Sequence, residues 1–311
     1  MSDVLGQLRE IIQNDVGKRG LATDPAENLI TACAGDFGSA CHSLAGHPTP
    51  CLAVVTGFFI PTATPPAGET DGPLGALFLA RALVPLGIPV TIATDDFCVR
   101  ALEVGLAECG LRKAVPIATL PTLAQAKRMG EADYWQHFEE RNGIENLTHV
   151  LAIERVGPSH ADDRCYTMRG RDITEMMSPA HRLFESAQPL TTIGIGDGGN
   201  EIGMGKLPRE LIARNIPNGG QVACRVATDQ LIVAGVSNWG GYALAAGVAH
   251  LRGRKLDASL FDSEGERAIL DAMVKEGPLV DGVTGKQTAT VDGLTWEQYA
   301  EVLTRIKPLA A

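Results

Sequence analysis

Leu52-Ala53-Val54-Val55-Thr56-Gly57 is the stretch that decides the fold. Four consecutive apolar residues leave no polar face for water, so the run predicts a strand buried on both sides, as in a parallel sheet. It stops at a hydroxyl and a glycine, where the chain can turn out of the sheet. The same unit recurs downstream. A Pro- and Thr-rich loop covers residues 58–70, and Pro73 then opens a helix to about residue 86. Strands are predicted over 88–94, 114–118, 148–153, 190–196, 222–226 and 230–234. Helices are predicted over 97–109, 121–141, 173–186 and 239–251. Thr295 and Gln298 form a capping box for a last helix through residue 306. Upstream, Leu5, Leu8, Ile11 and Ile12 share one face of a helix over 4–16, and Asp24 before Pro25 marks a second helix to about residue 33. Strands alternating with helices predict an α/β fold, a doubly wound, mostly parallel sheet flanked by helices. Residues 1–311 are read as one α/β domain, or as two lobes around one cleft.

Composition narrows the function. The 311 residues carry a net charge of -10 and no run of Lys or Arg, which excludes a phosphate-backbone partner; no nucleic acid is expected. Seven Cys, none in a C-x-x-C pair, predict reduced thiols in a cytoplasmic protein, and Cys33, Cys41 and Cys51 lack zinc-ligand spacing. The N-terminus shows no basic region followed by an apolar run. The most apolar stretch, 231–251, is interrupted by Ser237, Asn238, Trp239 and two glycines, so no membrane span is expected.

In doubly wound sheets, ligands bind beyond the carboxyl ends of the strands. Those ends read Thr56-Gly57, Thr94-Asp95-Asp96, Glu154-Arg155, Gly196-Asp197-Gly198-Gly199-Asn200-Glu201 and Ser237-Asn238. Polar and acidic residues at five ends predict one shared site. Gly194, Gly196 and Gly199 spell a G-x-G-x-x-G, yet no acidic residue stands about 20 positions on, and Asp197 inside the loop would repel a pyrophosphate. A divalent cation held by Asp197 and Glu201, with Asn200 as a neutral partner, fits better, and no nucleotide is expected. Gly68-Glu69-Thr70-Asp71-Gly72-Pro73-Leu74-Gly75-Ala76 sets two carboxylates and a hydroxyl before a helix whose free N–H groups can bind a carboxylate. The bland alternative is that Thr70 or Asp71 simply caps that helix. The loop around Lys286 lacks the first glycine of a phosphate loop, Val280 standing there, and His160 and His181 are assigned no role.

These motifs together, with Val55-Thr56-Gly57-Phe58, resemble the D-glutamate cyclase family over about residues 10–307. The two long motifs are specific; Thr94-Asp95 alone is not. The chain is similar to the free-standing bacterial type of a module that, in animals, is the C-terminal part of a longer mitochondrial protein. The resemblance implies a carbon–oxygen lyase of D-amino acid metabolism that converts the small amino acid D-glutamate to 5-oxo-D-proline and water. Tested against that chemistry, Glu154 or Asp71 fits a catalytic base. Asp197 and Glu201 with Glu69 fit a divalent metal site, Mg or Mn. Arg155 and the N–H groups around Gly72 fit an anchor for the substrate carboxylate. Thr56, Thr70, Asp95, Asn200 and Asn238 complete the expected substrate contacts. The competing reading is a metal-dependent hydrolase acting on a small phosphorylated or lactam substrate.

Overall fold

The structure is a computed structural model and describes residues 3–142, 144 and 146–311. Six strands form one parallel sheet: β1 (Leu52–Val55), β2 (Val90–Thr94), β3 (Ile117–Thr119), β4 (His149–Ile153), β5 (Thr191–Gly196) and β6 (Gln230–Val233). Their order is β3-β2-β1-β4-β5-β6, with every pairing parallel. The chain is doubly wound, as its strand sequences require. Leu52, Val54, Ile92, Leu151 and Ile153 feed one core, and the alternate residues Ala53, Val55, Ala93, Val150 and Ala152 feed another. A strand apolar at every position has two faces to cover. The Pro73–Leu83, Asp96–Glu108 and Ser237–Leu251 helices contribute to the first core. The Glu131–Asn142 and Arg209–Asn215 helices contribute to the second.

The strand order reverses between β1 and β4, the topological switch point where such sheets open a crevice. Thr56 follows β1 and Glu154 follows β4, so both stand at its mouth.

Local departures from the expected elements have local causes. The 173–186 helix is split by Pro179 into a 3-10 turn, Thr174–Met176, and a short helix, His181–Phe184. No strand forms over 222–226: Gly219–Val222 is one helical turn, and Cys224 makes only an isolated bridge to Ser159. Asp24 accepts N–H bonds from Ala26 and Glu27 without starting a helix, which begins at Leu29 behind an Asn28–Thr31 capping box. The loop after β1 holds a two-residue antiparallel ladder, Phe59–Ile60 against Ala67–Gly68. Helices Asp36–Gly46, Arg209–Asn215 and Ser263–Glu276 escaped the sequence reading, whereas the Thr295–Gln298 box is present and its helix runs Trp296–Ala310. Among the described residues no helix is long and apolar enough to cross a membrane. Cys33, Cys41, Cys98, Cys165 and Cys224 are buried, and burial pushes the Cys98 thiol up to about 12.

Candidate active site

Two helix ends frame the crevice and cap each other. Asn238, in the first turn of the Ser237–Leu251 helix, accepts the N–H groups of Gly72 and Gly75 through Oδ1 at 2.8 and 2.7 Å. Asp71, ahead of the Pro73–Leu83 helix, returns the arrangement: its carboxylate accepts the N–H groups of Asn238 and Ser237 at 2.8 and 2.9 Å. Each side chain thus satisfies orphan donors of the other helix. The close approach needs Gly72, at φ +90, where a Cβ would fall 2.6 Å from Thr56 Oγ1. Of the N–H groups around Gly72 read from sequence as an anchor for a substrate carboxylate, those of Gly72 and Gly75 thus donate to Asn238. Thr70 is also committed, its hydroxyl donating to the Thr290 carbonyl at 2.8 Å.

Arg155 and Asp95 form a second paired unit. Both are buried and paired with each other, and Arg155 also donates to the carbonyls of Gly57 and Ser178 at 3.0 and 2.8 Å. The Ser178 N–H donates to Asp95 Oδ1 at 2.6 Å. This fork ties the ends of β1, β2 and β4 to residue 178. Arg155 Nε is left buried without a partner, and neither residue lines the cavity described below.

The loop after β5 turns its N–H groups onto its own carboxylate. Glu201 Oε1 accepts the N–H groups of Asp197 and Gly198 at 3.0 and 2.6 Å, the donors that would otherwise cradle a phosphate. Gly194 is needed for packing, since a Cβ there would come 2.7 Å from the Gly203 Cα.

What remains is a dense, buried carboxyl cluster. Oxygens of Glu154, Asp197 and Glu201 lie within 4.8 Å of one another, as do those of Asp71, Asp197 and Asp292. Glu69 belongs to neither group and instead faces the cavity. Glu154 has a backbone φ of 44° and Asp292 one of 56°, in the left-handed region that residues other than glycine seldom adopt, Asp more readily than Glu. Burial, reinforced by neighbouring carboxyls, pushes Glu69, Glu154 and Asp197 well above the usual carboxylate range. Burial and Asp292 push Asp71 up to about 8, against the pull of its N–H donors. Asp197 Oδ2, Asp292 Oδ2, Glu201 Oε2 and Asn200 Oδ1 are buried without a hydrogen-bond partner. These are hard oxygen donors with spare capacity, the donor set that suits Mg or Mn.

The cluster opens on a cavity of about 380 Å³. Glu69, Glu154 and Asn200 line its acidic wall, and Arg19, Arg169 and Arg171 line it with positive charge. Ser237 Oγ donates to Glu154 Oε2 at 2.6 Å and so fixes the carboxyl. Arg169 donates to the Val283 carbonyl at 2.9 Å, while Arg171 pairs with no carboxylate among the described residues. Arg19 forms ion pairs with Asp197 and Asp292. Burial disfavours its charge, but Asp197, Asp292, Glu154 and Asp71 outweigh that and raise its proton affinity. Arg19, Asp292, Arg169, Arg171 and Ser237 were not assigned from sequence. Ser237 stands at a strand end already read as part of the site, and Asp292-Gly293 is a turn dipeptide that offers a weak local signal.

A family model described as D-glutamate cyclase-like, C-terminal, matches residues 8–307. This chain belongs to that family. It is 32% identical over 333 aligned residues to the human protein named D-glutamate cyclase, mitochondrial, covering 98% of this chain and 52% of that protein. The chain therefore spans about half the length of this curated relative. Its acidic motifs after β1, β4 and β5 fall inside the family match.

Proposed function

We propose that this chain closes D-glutamate to 5-oxo-D-proline with release of water, the amine nitrogen bonding to the side-chain carboxyl carbon as a C–O bond breaks. The observation that carries the reading is Glu154: a buried carboxyl with raised proton affinity, on the wall of a cavity that also presents arginines. The choice of D-glutamate rests on the family and on the name of the human relative.

Ring closure is intramolecular, so orientation alone can supply an effective molarity of roughly 10⁵ M. Two obstacles remain: an ammonium has no lone pair, and a carboxylate is a poor electrophile. Glu154 takes two protons from the nitrogen in turn, one before ring closure and one after, and passes both to the departing oxygen, which leaves as water; its raised proton affinity suits it to return them. The Ser237 hydroxyl holds the orientation of Glu154 throughout. Asn200 Oδ1, which has no donor of its own, accepts an N–H of the substrate amine. Arg171 takes the α-carboxylate, in place of Arg155 and the Gly72 N–H group. Asp71 supports Glu154 from behind, through Ser237, rather than acting as a base itself. Asp197 and Glu201 would hold the divalent cation beside Glu154, and when bound it would neutralise and polarise a carboxylate.

The test is lactam formation from D-glutamate by wild type and Glu154→Gln. Gln keeps the hydrogen bond from Ser237 and cannot carry the proton, so turnover should fall about 10³-fold with an unchanged fold. A Glu154→Gln protein that retains more than about a tenth of wild-type turnover would remove Glu154 from the chemistry.

A further inference from the structure

Arg19 holds the middle of the carboxyl cluster from an irregular segment, residues 13–28, between the Val4–Ile12 and Leu29–Ala32 helices. The segment is pinned. Asp15 Oδ1 accepts the Arg19 N–H at 2.8 Å, and Asp15 Oδ2 accepts those of Gly20 and Leu21 at 2.9 and 3.1 Å. Gly20, at φ +100, lies so close to the Asn215 carbonyl that a Cβ would come within 2.3 Å of it. From this mount the guanidinium reaches one oxygen each of Asp197 and Asp292, and the same side chain lines the cavity.

Asp197 is claimed twice. It stands in the Asp71–Asp197–Asp292 group, where the guanidinium lies, and in the Glu154–Asp197–Glu201 group, where Asp197 Oδ2 and Glu201 Oε2 have no partner. The Asn200 amide is buried beside that second group, its Oδ1 also unpartnered and its Nδ2 donating to the Tyr166 carbonyl at 2.8 Å. A guanidinium and a divalent cation on one carboxylate repel across a few ångströms of poorly screened interior. A fixed, planar fork also cannot share the close oxygen shell that a small cation demands.

We infer that Arg19 is the resident counter-ion of this site, and that it must give up Asp197, while staying on Asp292, for a divalent cation to be held there. Cation loading and release of the guanidinium toward the cavity are then one event. This rests on the cation-site reading of the cluster and not on the cyclase reaction.

The experiment is calorimetric titration of Mn²⁺ into chelator-stripped wild type, Arg19→Gln, Arg19→Lys and the double variant Arg19→Gln with Asp197→Asn, each without substrate. Arg19→Gln should bind Mn²⁺ at least tenfold more tightly than wild type, because nothing has to be displaced. Arg19→Lys, whose single ammonium cannot span both carboxylates, should gain less in the same direction, and it decides the matter if Arg19→Gln does not fold. The gain should vanish in the double variant. Equal or weaker Mn²⁺ binding in the Arg19 variants, or a gain that survives loss of Asp197, would overturn the inference. Lactam formation by wild type, measured separately, shows whether the cyclase reading stands whatever the titration gives.

Discussion

Replacing Asp197 with Asn separates a site residue from a scaffold residue. At a pH where Asp197 is ionised the substitution removes its charge but keeps its size, so the β5 loop and its N–H bonds to Glu201 are retained. Two electrostatic changes oppose each other. The ion pair with Arg19 is lost, worth about 4 kcal/mol at a charge separation near 4 Å and an effective dielectric of about 20. Repulsion from a charged neighbour no more than 4.8 Å away is also lost, at least about 3.5 kcal/mol on the same scale. Arg19 keeps Asp292, so no bare buried charge is created. The changes nearly cancel, and the melting temperature in chelator should move by no more than about 4 °C. Turnover of D-glutamate should fall about 10³-fold, and Mn²⁺ affinity by a comparable factor, because Asp197 is common to both carboxyl groups. The assay is steady-state lactam formation with calorimetric Mn²⁺ titration and a thermal melt. Unchanged turnover and affinity in a well-folded Asp197→Asn protein would refute the reasoning and reduce the loop to a buried structural turn.

Asn238→Ala should act on stability: it leaves the buried Gly75 N–H with no acceptor and weakens that of Gly72, for about 2–4 kcal/mol, read as a lower urea midpoint at unchanged slope. The raised carboxyls fix the sign of the pH dependence. Asp71, at about 8 folded against about 3.9 unfolded, binds its proton more tightly in the native state, as do Glu69, Glu154 and Asp197. Their contribution is complete below the unfolded values and is lost as pH rises, so urea midpoints in chelator should fall between about pH 4 and pH 8. Midpoints that rise or stay flat over that window would show the cluster is not proton-linked.

The architecture was legible because β1 is apolar at every position and β2 and β4 are nearly so, and strands this apolar are buried on both faces. The strand ends were legible for the same reason, since polar residues must begin where the sheet stops. Partnerships were not. Arg155 beside Glu154 reads as a free cation at a strand end, yet Asp95, 60 positions earlier, has claimed it. The N–H groups before the Pro73 helix read as vacant because Asn238 lies 163 positions from Gly75. Arg19 comes from a segment with no periodicity, 178 positions from Asp197, so nothing local marks it. Residue type and periodicity report burial; they carry no record of which buried group meets which.

The most direct measurement of the central claim is proton NMR of D-glutamate and of L-glutamate incubated separately with the purified protein and Mn²⁺ or Mg²⁺. The account predicts that the D-glutamate signals give way to those of 5-oxo-D-proline, at a rate proportional to protein and abolished by Glu154→Gln. Unchanged D-glutamate, alongside phosphate release from small phosphoesters by the same preparation, would contradict it and favour a hydrolase.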